Sequence, residues 1–385
     1  MPGRPQPAPQ QGQGDGGAAG AAARARAQRA HGARSRHAQK PRRQRGAQRS
    51  HPHVQLSAGT ADRPPHQPDA VQARAGDGRR PRRRRRRTAR RTRRRAARAA
   101  RVRHTVSVRI ADLLGEAQAA GVGRADAQRL AAHQLGCSRE WVIAHDDQLL
   151  SDARDVDVLR KLLQRRAAGE PLAYLVGRRE FHGLTLLVDR DVLVPRPETE
   201  LLVEWALELL EEGRRAQPTA SPDVVDLGTG SGAIALAVKH AAPWARLSAS
   251  DASAAALEVA RRNAAHLGLA VDFVAGDWWQ PLAGRRFALA LANPPYIASG
   301  DPHLAALAHE PQRALVAHGD GLDALRRIVA GAPQHLRAGA WLLLEHGHDQ
   351  ADAVQAMLTA AGLSEARTRA DLAGLPRCTG ARWSG

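Results

Sequence analysis

"VVDLGTGSG", residues 224–232, is the stretch that decides the fold, because a short apolar run leads directly into three glycines. The run has the length and the β-branched content of a buried strand. Glycines let the backbone turn sharply and approach a ligand closely, and a helix that follows offers unpaired N–H groups. The spacing is Gly-x-Gly-x-Gly, whereas dinucleotide sites use Gly-x-Gly-x-x-Gly. We therefore expect a cofactor that has no pyrophosphate.

Strand and helix patterns alternate after Pro222, in the order "DVVDL", a helix from about Gly232, "RLSASD", a helix, "VDFVAGD", "FALALAN", a helix, "AWLLLEHG" and a helix. Such alternation predicts an α/β fold with right-handed crossovers onto a doubly wound, mostly parallel sheet. Ligands of such sheets lie outside the carboxyl ends of the strands. The last residues, from "SEARTRADLAG" to "RCTGARW", predict a closing hairpin.

Residues 106–170 have apolar residues at helical spacing and predict a small α-helical bundle. Gly121 and Gly136 fit the ends of its first two helices, and Ser138 and Ser151 fit the starts of later ones. Residues 171–200 change to short β-branched runs and predict a β-hairpin linker. We place the next domain at residues 201–385.

Residues 1–105 differ in composition from the rest of the chain. They hold 29 Lys and Arg but 4 Asp and Glu, which leaves a net charge of −5 for the remainder. Because aliphatic side chains are scarce, we expect this Arg-, Ala-, Pro- and Gly-rich tail to be disordered. One hypothesis is that its Arg82–Arg87 run binds nucleic acid. The other is a start assigned too far upstream, with the native chain beginning near Val106.

Composition also limits the class of protein. No stretch of 18 or more apolar residues is present, so we expect no membrane span. The two cysteines, Cys137 and Cys378, lie far apart and have no spacing typical of a metal or redox site. These features favour the cytoplasm, and we predict no metal site.

Acidic residues end the second and third predicted strands. Asp251 follows Gly228 by 23 residues, where a carboxylate accepts the two hydroxyls of a ribose; the alternative is a helix N-cap. Asp277 and Trp278 fit an adenine amino group and its ring face; the alternative is a loop aspartate beside a half-buried indole.

"LANPPYIA", residues 291–298, places Asn293 at the end of the fourth strand. Pro294 and Pro295 fix their own φ angles and restrict the residues before them, so the segment is stiff. The Asn293 side-chain oxygen and the Pro294 carbonyl are then two acceptors for one NH₂ group, and Tyr296 can stack on the plane that carries it. A lone Asn-Pro-Pro-Tyr is also a common turn.

Taken together, these motifs resemble the class I (Rossmann-like) methyltransferases that use S-adenosylmethionine, and more closely the bacterial release-factor glutamine methyltransferases. The resemblance runs from about residue 107 to the end. It rests on "AYLVGRREFHGLTLLVDRDVLVPRPETELLV", "VVDLGTGSGAIALA", "SDAS", "GDWW", "NPPYI", "EPQRAL", "GDGLDALRRI" and "LLLEHGHDQ". Two features depart from the family: His346, where an aliphatic residue is usual, and "PRCTGAR" in the closing strand.

The resemblance implies a role for each matching residue. The cofactor would lie against Gly228, Thr229, Gly230, Ser231, Gly232, Asp251, Asp277, Trp278 and Asn293. The glutamine amide of the Gly-Gly-Gln motif of class 1 peptide-chain release factors would lie against Asn293, Pro294, Pro295 and Tyr296, with Asn293, Pro294 and Tyr296 as the catalytic groups. The helical domain would recognise this protein substrate, and the enzyme would act as a monomer.

Three other functions fit parts of the sequence. A glutamine of a ribosomal protein is one alternative acceptor, although "PRPETELL" favours release factors. Adenine N6 in nucleic acid is another, since Asn-Pro-Pro-Tyr suits an exocyclic amine, but the acidic remainder of the chain lacks a basic groove. The third is a binding protein for RNA or the ribosome whose methyltransferase fold is vestigial.

Overall fold

Five short helices open the part of the chain that the structure, a computed structural model, describes, namely residues 107–385. The predictions about residues 1–105 lie outside it. The bounds of these helices are α1 Ile110–Ala119, α2 Arg124–Leu135, α3 Arg139–Ala144, α4 Ala153–Ala167 and α5 Leu172–Val176. Their apolar faces form one core, and two short strands, β1 Val108–Arg109 and β2 Leu149–Leu150, pair antiparallel beside them.

The observed ends of these helices agree in part with those predicted from the sequence. Ser138 caps α3 by accepting a hydrogen bond from the Trp141 N–H at 3.1 Å, as predicted. Gly136 ends α2 in the left-handed conformation, with φ of 65°. The prediction for Ser151 is wrong, since Asp152 caps α4 by accepting from the Arg154 N–H at 2.8 Å. A carboxylate one residue closer to the helix takes the first free N–H groups.

The predicted hairpin linker is present but shorter than residues 171–200. Strands β3 Arg178–Phe181 and β4 Leu184–Leu187 pair antiparallel around a turn at His182 and Gly183. Residues 172–176 are helical instead, because Pro171 starts α5 and Gly177 ends it with φ of 74°. A single 3₁₀ turn, Pro197–Thr199, then leads into α6 Glu200–Ala216.

A seven-stranded sheet forms the rest of the molecule, with the strand order β12-β13-β11-β8-β5-β6-β7. Its strands are β5 Asp223–Leu227, β6 Arg246–Asp251, β7 Asp272–Ala275, β8 Phe287–Ala292, β11 Leu336–Glu345, β12 Leu363–Ala370 and β13 Pro376–Trp383. Only β13 runs antiparallel to its neighbours in this sheet, and with β12 it makes the expected closing hairpin. The doubly wound, mostly parallel prediction is confirmed.

Helices cover both faces of the sheet, which explains the apolar runs in its strands. Side chains alternate along β8, so that Leu289 and Leu291 pack on one core and Ala290 and Ala292 on the other. The helices of the domain after α6 are α7 Ala233–Ala241, α8 Ala254–Leu267, α9 Asp323–His335 and α10 Ala351–Ala360. A further parallel pair, β9 Ile297–Ala298 with β10 Val316–Ala317, lies beyond the end of β8.

The strand order reverses between β5 and β8, since β6 and β7 lie on one side of β5 while β8 and β11 lie on the other. Such a reversal leaves a crevice at the carboxyl ends of the two strands. The glycine turn follows β5 and Asn293 follows β8, so the fold brings both motifs to this crevice.

The two departures from the family contact each other. The buried His346 ring makes hydrogen bonds with the Gly347 carbonyl at 2.8 Å and with Thr379 Oγ1, in the altered strand β13, at 2.7 Å. Burial lowers the pKa of His346, which keeps the ring neutral. Thr379 in turn lies 2.7 Å from Thr368 Oγ1 on β12. The imidazole is thus accommodated by a polar partner.

Among residues 107–385, no helix combines the length and the apolar character that crossing a lipid bilayer would require.

Candidate active site

The glycine turn after β5 approaches Trp278 closely. Gly228 has φ of 75°, and a Cβ placed on it would lie 2.8 Å from Cζ3 of Trp278. Its N–H donates to the Ser250 carbonyl at 2.8 Å, while the Ser250 hydroxyl donates to the Trp278 carbonyl at 2.9 Å. Only glycine fits both the backbone angle and the space, so the turn and the indole form one wall.

Asp226 stabilises the glycine turn through hydrogen bonds. It is fully buried, and its Oδ2 accepts from the Thr229 hydroxyl at 2.7 Å and from the Ala235 N–H at 3.3 Å. Burial raises its pKa to about 7, and these two hydrogen bonds only partly oppose the shift. Its Oδ1 has no partner among the described residues. The carboxyl thereby joins the turn to the start of α7.

Asp251 lies at the end of β6 and holds the other side of the turn. Its Oδ2 accepts from the Gly230 N–H at 2.9 Å, and its Oδ1 accepts from the Ser253 N–H at 2.7 Å. It does not cap α8, since Ser253 does so by accepting from the Ala256 N–H. Burial raises the pKa of Asp251. A carboxylate has about four acceptor positions, so two remain for the hydroxyls of a ligand.

Asp277 is paired with a cation that the sequence analysis did not consider. Its carboxylate forms an ion pair with Arg327 of α9, and both residues line the cavity beside Trp278. The carboxylate therefore already has one partner. A base amino group would share Asp277 with the guanidinium.

Asn293 is oriented by a residue 94 positions earlier in the chain. Its Nδ2 donates to Thr199 Oγ1 at 3.0 Å. Thr199 is 4% exposed and stands at the start of α6, yet its hydroxyl does not cap that helix. The amide nitrogen is thus engaged, no hydrogen bond to Asn293 Oδ1 is formed among residues 107–385, and the residue lines two cavities.

Glu345 lies beside Asn293 at the end of the neighbouring strand, β11. Its side chain is buried, and Oε1 lies 3.4 Å from the Tyr296 hydroxyl while Oε2 has no partner among the described residues. Burial raises its pKa to about 7, and the positive charge of Arg377 partly opposes the shift. Burial also raises the pKa of Tyr296, so its hydroxyl stays protonated.

Two cavities meet at Asn293. The larger, about 320 Å³, is lined by the glycine turn, Asp251, Asp277 and Trp278. The smaller, about 210 Å³, lies between Pro294, Tyr296 and Glu345. Both are also lined by Asn293 and Pro295. A reacting group in one cavity can therefore meet a reacting group in the other at this asparagine.

The structure brings together all but one of the residues expected at the site. In the larger cavity lie Gly228, Thr229, Gly230, Ser231, Asp251, Asp277, Trp278, Asn293 and Pro295, and in the smaller Asn293, Pro294, Pro295 and Tyr296. Gly232 is the exception. It packs against Leu236 and Ala260, 3.0 and 3.3 Å from where its Cβ would be, so its need for glycine comes from helix packing and its left-handed φ of 84°.

Sequence reasoning missed the groups that hold the site. Thr199 was part of a helix start, and Glu345 was one charged residue at the end of an apolar strand. That charge was the available signal, because burying a carboxylate at the end of an apolar strand is energetically unfavourable unless the group has a function.

Arg196, which lines both cavities, has a partner in the buried Glu310, whose other oxygen accepts from the Val194 N–H at 3.0 Å.

Comparison with known proteins matches two parts of the chain to family models. Residues 109–177 match the PrmC N-terminal domain, and residues 206–357 match the methyltransferase small domain. The release factor glutamine methyltransferase of Bordetella pertussis is 49% identical over 274 residues, which cover 70% of this chain and 98% of the relative. That of Xylella fastidiosa is 48% identical over 267 residues, covering 69% and 94%.

One similar solved structure is the release factor-specific protein-(glutamine-N5) methyltransferase of Alicyclobacillus acidocaldarius. It has 30% sequence identity and a TM-score of 0.32, and the match covers 51% of this chain and 99% of that one. With so low a TM-score, the relationship rests on the sequence relatives.

Proposed function

The chain belongs to the release factor glutamine methyltransferase family, and from this we propose that it methylates the side-chain amide nitrogen of the glutamine in the Gly-Gly-Gln motif of class 1 peptide-chain release factors. S-adenosylmethionine is the methyl donor. The observation that carries the proposal is Asn293, which lines both cavities with its amide nitrogen tied to Thr199 and its oxygen free.

The residues of the larger cavity fit the donor. Its volume, about 320 Å³, falls in the range of roughly 300–1,000 Å³ that is usual for small-molecule sites. Asp251 would hold the ribose hydroxyls, Trp278 would cover the adenine, and the turn at 228–231 would hold the methionine portion. Bound there, S-adenosylmethionine supplies a sulfonium methyl group that is already electrophilic.

The chain's own contribution is to orient the acceptor. An amide nitrogen is a poor nucleophile because its lone pair is delocalised into the carbonyl. Asn293 Oδ1 and the Pro294 carbonyl would accept its two hydrogens, draw electron density onto nitrogen and direct it toward the larger cavity. Alignment of two reactants is worth roughly 7–11 kcal/mol, against about 100- to 10,000-fold for a general base.

We propose that no side chain acts as a dedicated base. Tyr296 stays protonated because burial raises its pKa, and the Glu345 side chain, which lines the smaller cavity, is only 1% exposed. The methylated nitrogen would release its proton to water. Tyr296 would instead stack its ring on the amide plane.

The other acceptors are less well supported. The relatives are named for release factors rather than for a ribosomal protein. Residues 106–385 carry a net charge of −5, which does not favour nucleic acid. We further propose that the enzyme works as a monomer in the cytoplasm, where its two free cysteines stay reduced, and that nucleic acid would contact only the Arg-rich segment. Light scattering during size-exclusion chromatography tests the monomer.

The test of function incubates the full chain with purified release factor and isotopically labelled S-adenosylmethionine, followed by mass spectrometry of the modified peptide. We expect one methyl group on the Gly-Gly-Gln glutamine. A release factor with glutamate at that position is the matched control and should stay unlabelled. Labelling of ribosomal protein or nucleic acid in place of release factor would overturn the proposal.

A further inference from the structure

We propose that Glu310 is a positioning residue that neutralises the charge of Arg196 where the two cavities meet. An uncompensated guanidinium there would repel the cationic sulfonium of S-adenosylmethionine but not the neutral thioether of the product, S-adenosylhomocysteine. Glu310 therefore protects the affinity for the donor against competition by the product. The inference rests on the proposed function for the position of the sulfonium close to Asn293.

Arg196 is the charged residue at the junction of the cavities. The residues that line both cavities are Leu193, Arg196, Asn293, Pro295 and Ala314, and of these only Arg196 carries a charge. Its side chain is 34% exposed, and a guanidinium stays protonated in proteins. The proposed function needs the methyl group of a donor in the larger cavity to reach an amide nitrogen held at Asn293. A cation therefore lies where a second cation has to bind.

Glu310 supplies the opposite charge from the loop between β9 and β10. Its side chain is 3% exposed, and its Oε1 accepts from Arg196 Nη2 at 2.5 Å. Its Oε2 accepts from the Val194 N–H at 3.0 Å. Both oxygens thus accept from N–H donors, as an ionised carboxylate does. Glu310 is not among the described residues that line either cavity, so it acts on a ligand through Arg196.

The burial of this carboxylate is not explained by the loop that carries it. The neighbouring His309 is exposed and Pro311 is half-buried. Desolvation offsets most of the attraction in a buried ion pair, so that apolar side chains of similar volume are often at least as stabilising. The Val194 N–H requires an acceptor but not a charge. Charge balance at the junction accounts for a carboxylate at position 310.

The effect of the charge is large enough to measure. Two unit charges about 10 Å apart, at an effective dielectric constant of about 20, change a dissociation constant on the order of 10-fold. When the S–CH₃ bond breaks, its electron pair stays on sulfur and the positive charge is lost. The carboxylate and ammonium of the methionine portion are the same in donor and product, so the ratio of the two dissociation constants reports the sulfonium charge alone.

The experiment measures, by calorimetry on the full chain, the dissociation constants of S-adenosylmethionine and S-adenosylhomocysteine. Glu310→Gln keeps an acceptor for the Val194 N–H but removes the charge, whereas Glu310→Asp keeps the charge but shortens the side chain. Glu310→Gln combined with Arg196→Gln removes both charges. Urea unfolding without ligand tests whether each variant is folded.

The matched control is Asp223→Asn. Asp223 pairs with Arg246 at 2.7 Å and is the first residue of β5, at the edge of the sheet opposite to the site. This variant changes the net charge of the protein by the same amount as Glu310→Gln. It should leave the ratio of the two dissociation constants at the wild-type value.

We expect Glu310→Gln to weaken binding of the donor relative to the product by about 10-fold. The double variant should return the ratio to within about twofold of wild type, because no uncompensated charge is left. Glu310→Asp should weaken both ligands together and keep the ratio. An unchanged ratio in Glu310→Gln, or a ratio that falls equally in Glu310→Asp, would show that the residue only supports the structure.

The two proposals fail in different ways. A protein that does not label release factor, but whose ratio of dissociation constants responds as expected, refutes the function and keeps the charge balance. Labelling of release factor by the wild-type protein, together with an unchanged ratio in Glu310→Gln, refutes the charge balance and keeps the function.

Discussion

The position and orientation of the Asn293 side chain depend on two distant parts of the chain. The prolines after it restrict its backbone, but the orientation of its amide comes from Thr199 at 3.0 Å. A sequence motif contains the first constraint and not the second. We therefore expect the effects of changing Asn293 to appear in the rate more than in the binding of the donor.

Asn293→Ala should reduce the single-turnover methylation rate by about 100- to 1,000-fold, by analogy with the loss of one preorganised contact to a transition state. The dissociation constant for S-adenosylmethionine, measured by calorimetry, should stay within a few fold, because Asp251 and the glycine turn remain. Near wild-type turnover at saturating donor would refute the role of Asn293.

Gly228 and Gly230 provide a matched pair. Both have positive φ, 75° and 56°, but a Cβ meets Trp278 at 2.8 Å at Gly228 and nothing within 4 Å at Gly230. Gly230→Ala should cost only the left-handed strain, roughly 1–2 kcal/mol of unfolding free energy. Gly228→Ala should also displace Trp278 and raise the donor's dissociation constant about tenfold, equivalent to about 1.4 kcal/mol. Equal affinities in the two variants would contradict this reading of the turn.

Glu345 should make the folded protein less stable as pH rises. Its pKa is about 7 in the folded state and 4.5 ordinarily, so between these values the folded chain holds a proton that the unfolded chain has lost. This contribution is fully present below about pH 4.5 and is lost as pH rises through 7, on the order of 3 kcal/mol.

Glu345→Gln removes this titration. Urea unfolding should show the variant at least as stable as the wild-type protein at about pH 8, and a smaller decrease in stability between about pH 5 and pH 8. A variant less stable than wild type at the higher pH would show that the carboxylate stabilises the fold.

At the scale of elements, periodicity predicted the strands and helices that bury a face. β6 occupies "RLSASD", as expected, and β8 delivers Asn293 as expected. Short elements were missed, because α5 has five residues and β1 and β2 have two each. The conformation of such short segments depends on contacts with neighbouring elements rather than on their own sequence pattern.

One side chain joins three elements. Asn263 on α8 is fully buried, and its Oδ1 accepts from the Leu187 N–H at 2.7 Å. Its Nδ2 donates to the Leu187 carbonyl at 3.0 Å and to the Ser231 carbonyl at 2.9 Å. It therefore connects the hairpin linker to the glycine turn.

Asn263→Ala should leave these backbone groups without partners and lower the unfolding free energy by on the order of 3 kcal/mol. Because Ser231 lines the larger cavity, binding of S-adenosylmethionine should weaken as well. Chemical denaturation and calorimetry measure the two effects. The control is His266→Ala, which changes an exposed residue of the same helix. An equal loss of stability and of donor binding in this control would contradict the role given to Asn263.

For the whole molecule, the alternation of strands and helices predicted a doubly wound, mostly parallel sheet, whereas its strand order and the reversal between β5 and β8 come from the structure. The carboxyl ends of strands were therefore enough to predict which residues line the site. The contacts of Thr199, Glu345 and Arg327 were not predictable in this way. Each depends on packing between segments that are far apart in the sequence and carry no shared pattern.

Charge is divided along the chain, with 29 Lys and Arg in residues 1–105 and a net of −5 after them. A chain lacking residues 1–105 should methylate release factor at the rate of the full chain. RNA binding, measured by fluorescence anisotropy, should be confined to the full chain and fall by about 1,000- to 100,000-fold between 50 and 200 mM salt if 6–10 phosphates are contacted. Slower methylation by the shortened chain would show that residues 1–105 contribute to the reaction.

His346 and Thr379 constrain how this sheet can change over generations. Replacing Thr379 alone with an aliphatic residue leaves a buried ring nitrogen of His346 without a partner, whereas replacing His346 alone leaves the Thr379 hydroxyl its contact with Thr368. Loss of the threonine is thus harmful while the imidazole is present, and less so once an aliphatic residue has replaced it. The two substitutions are therefore tolerated in one order only, with position 346 changing first.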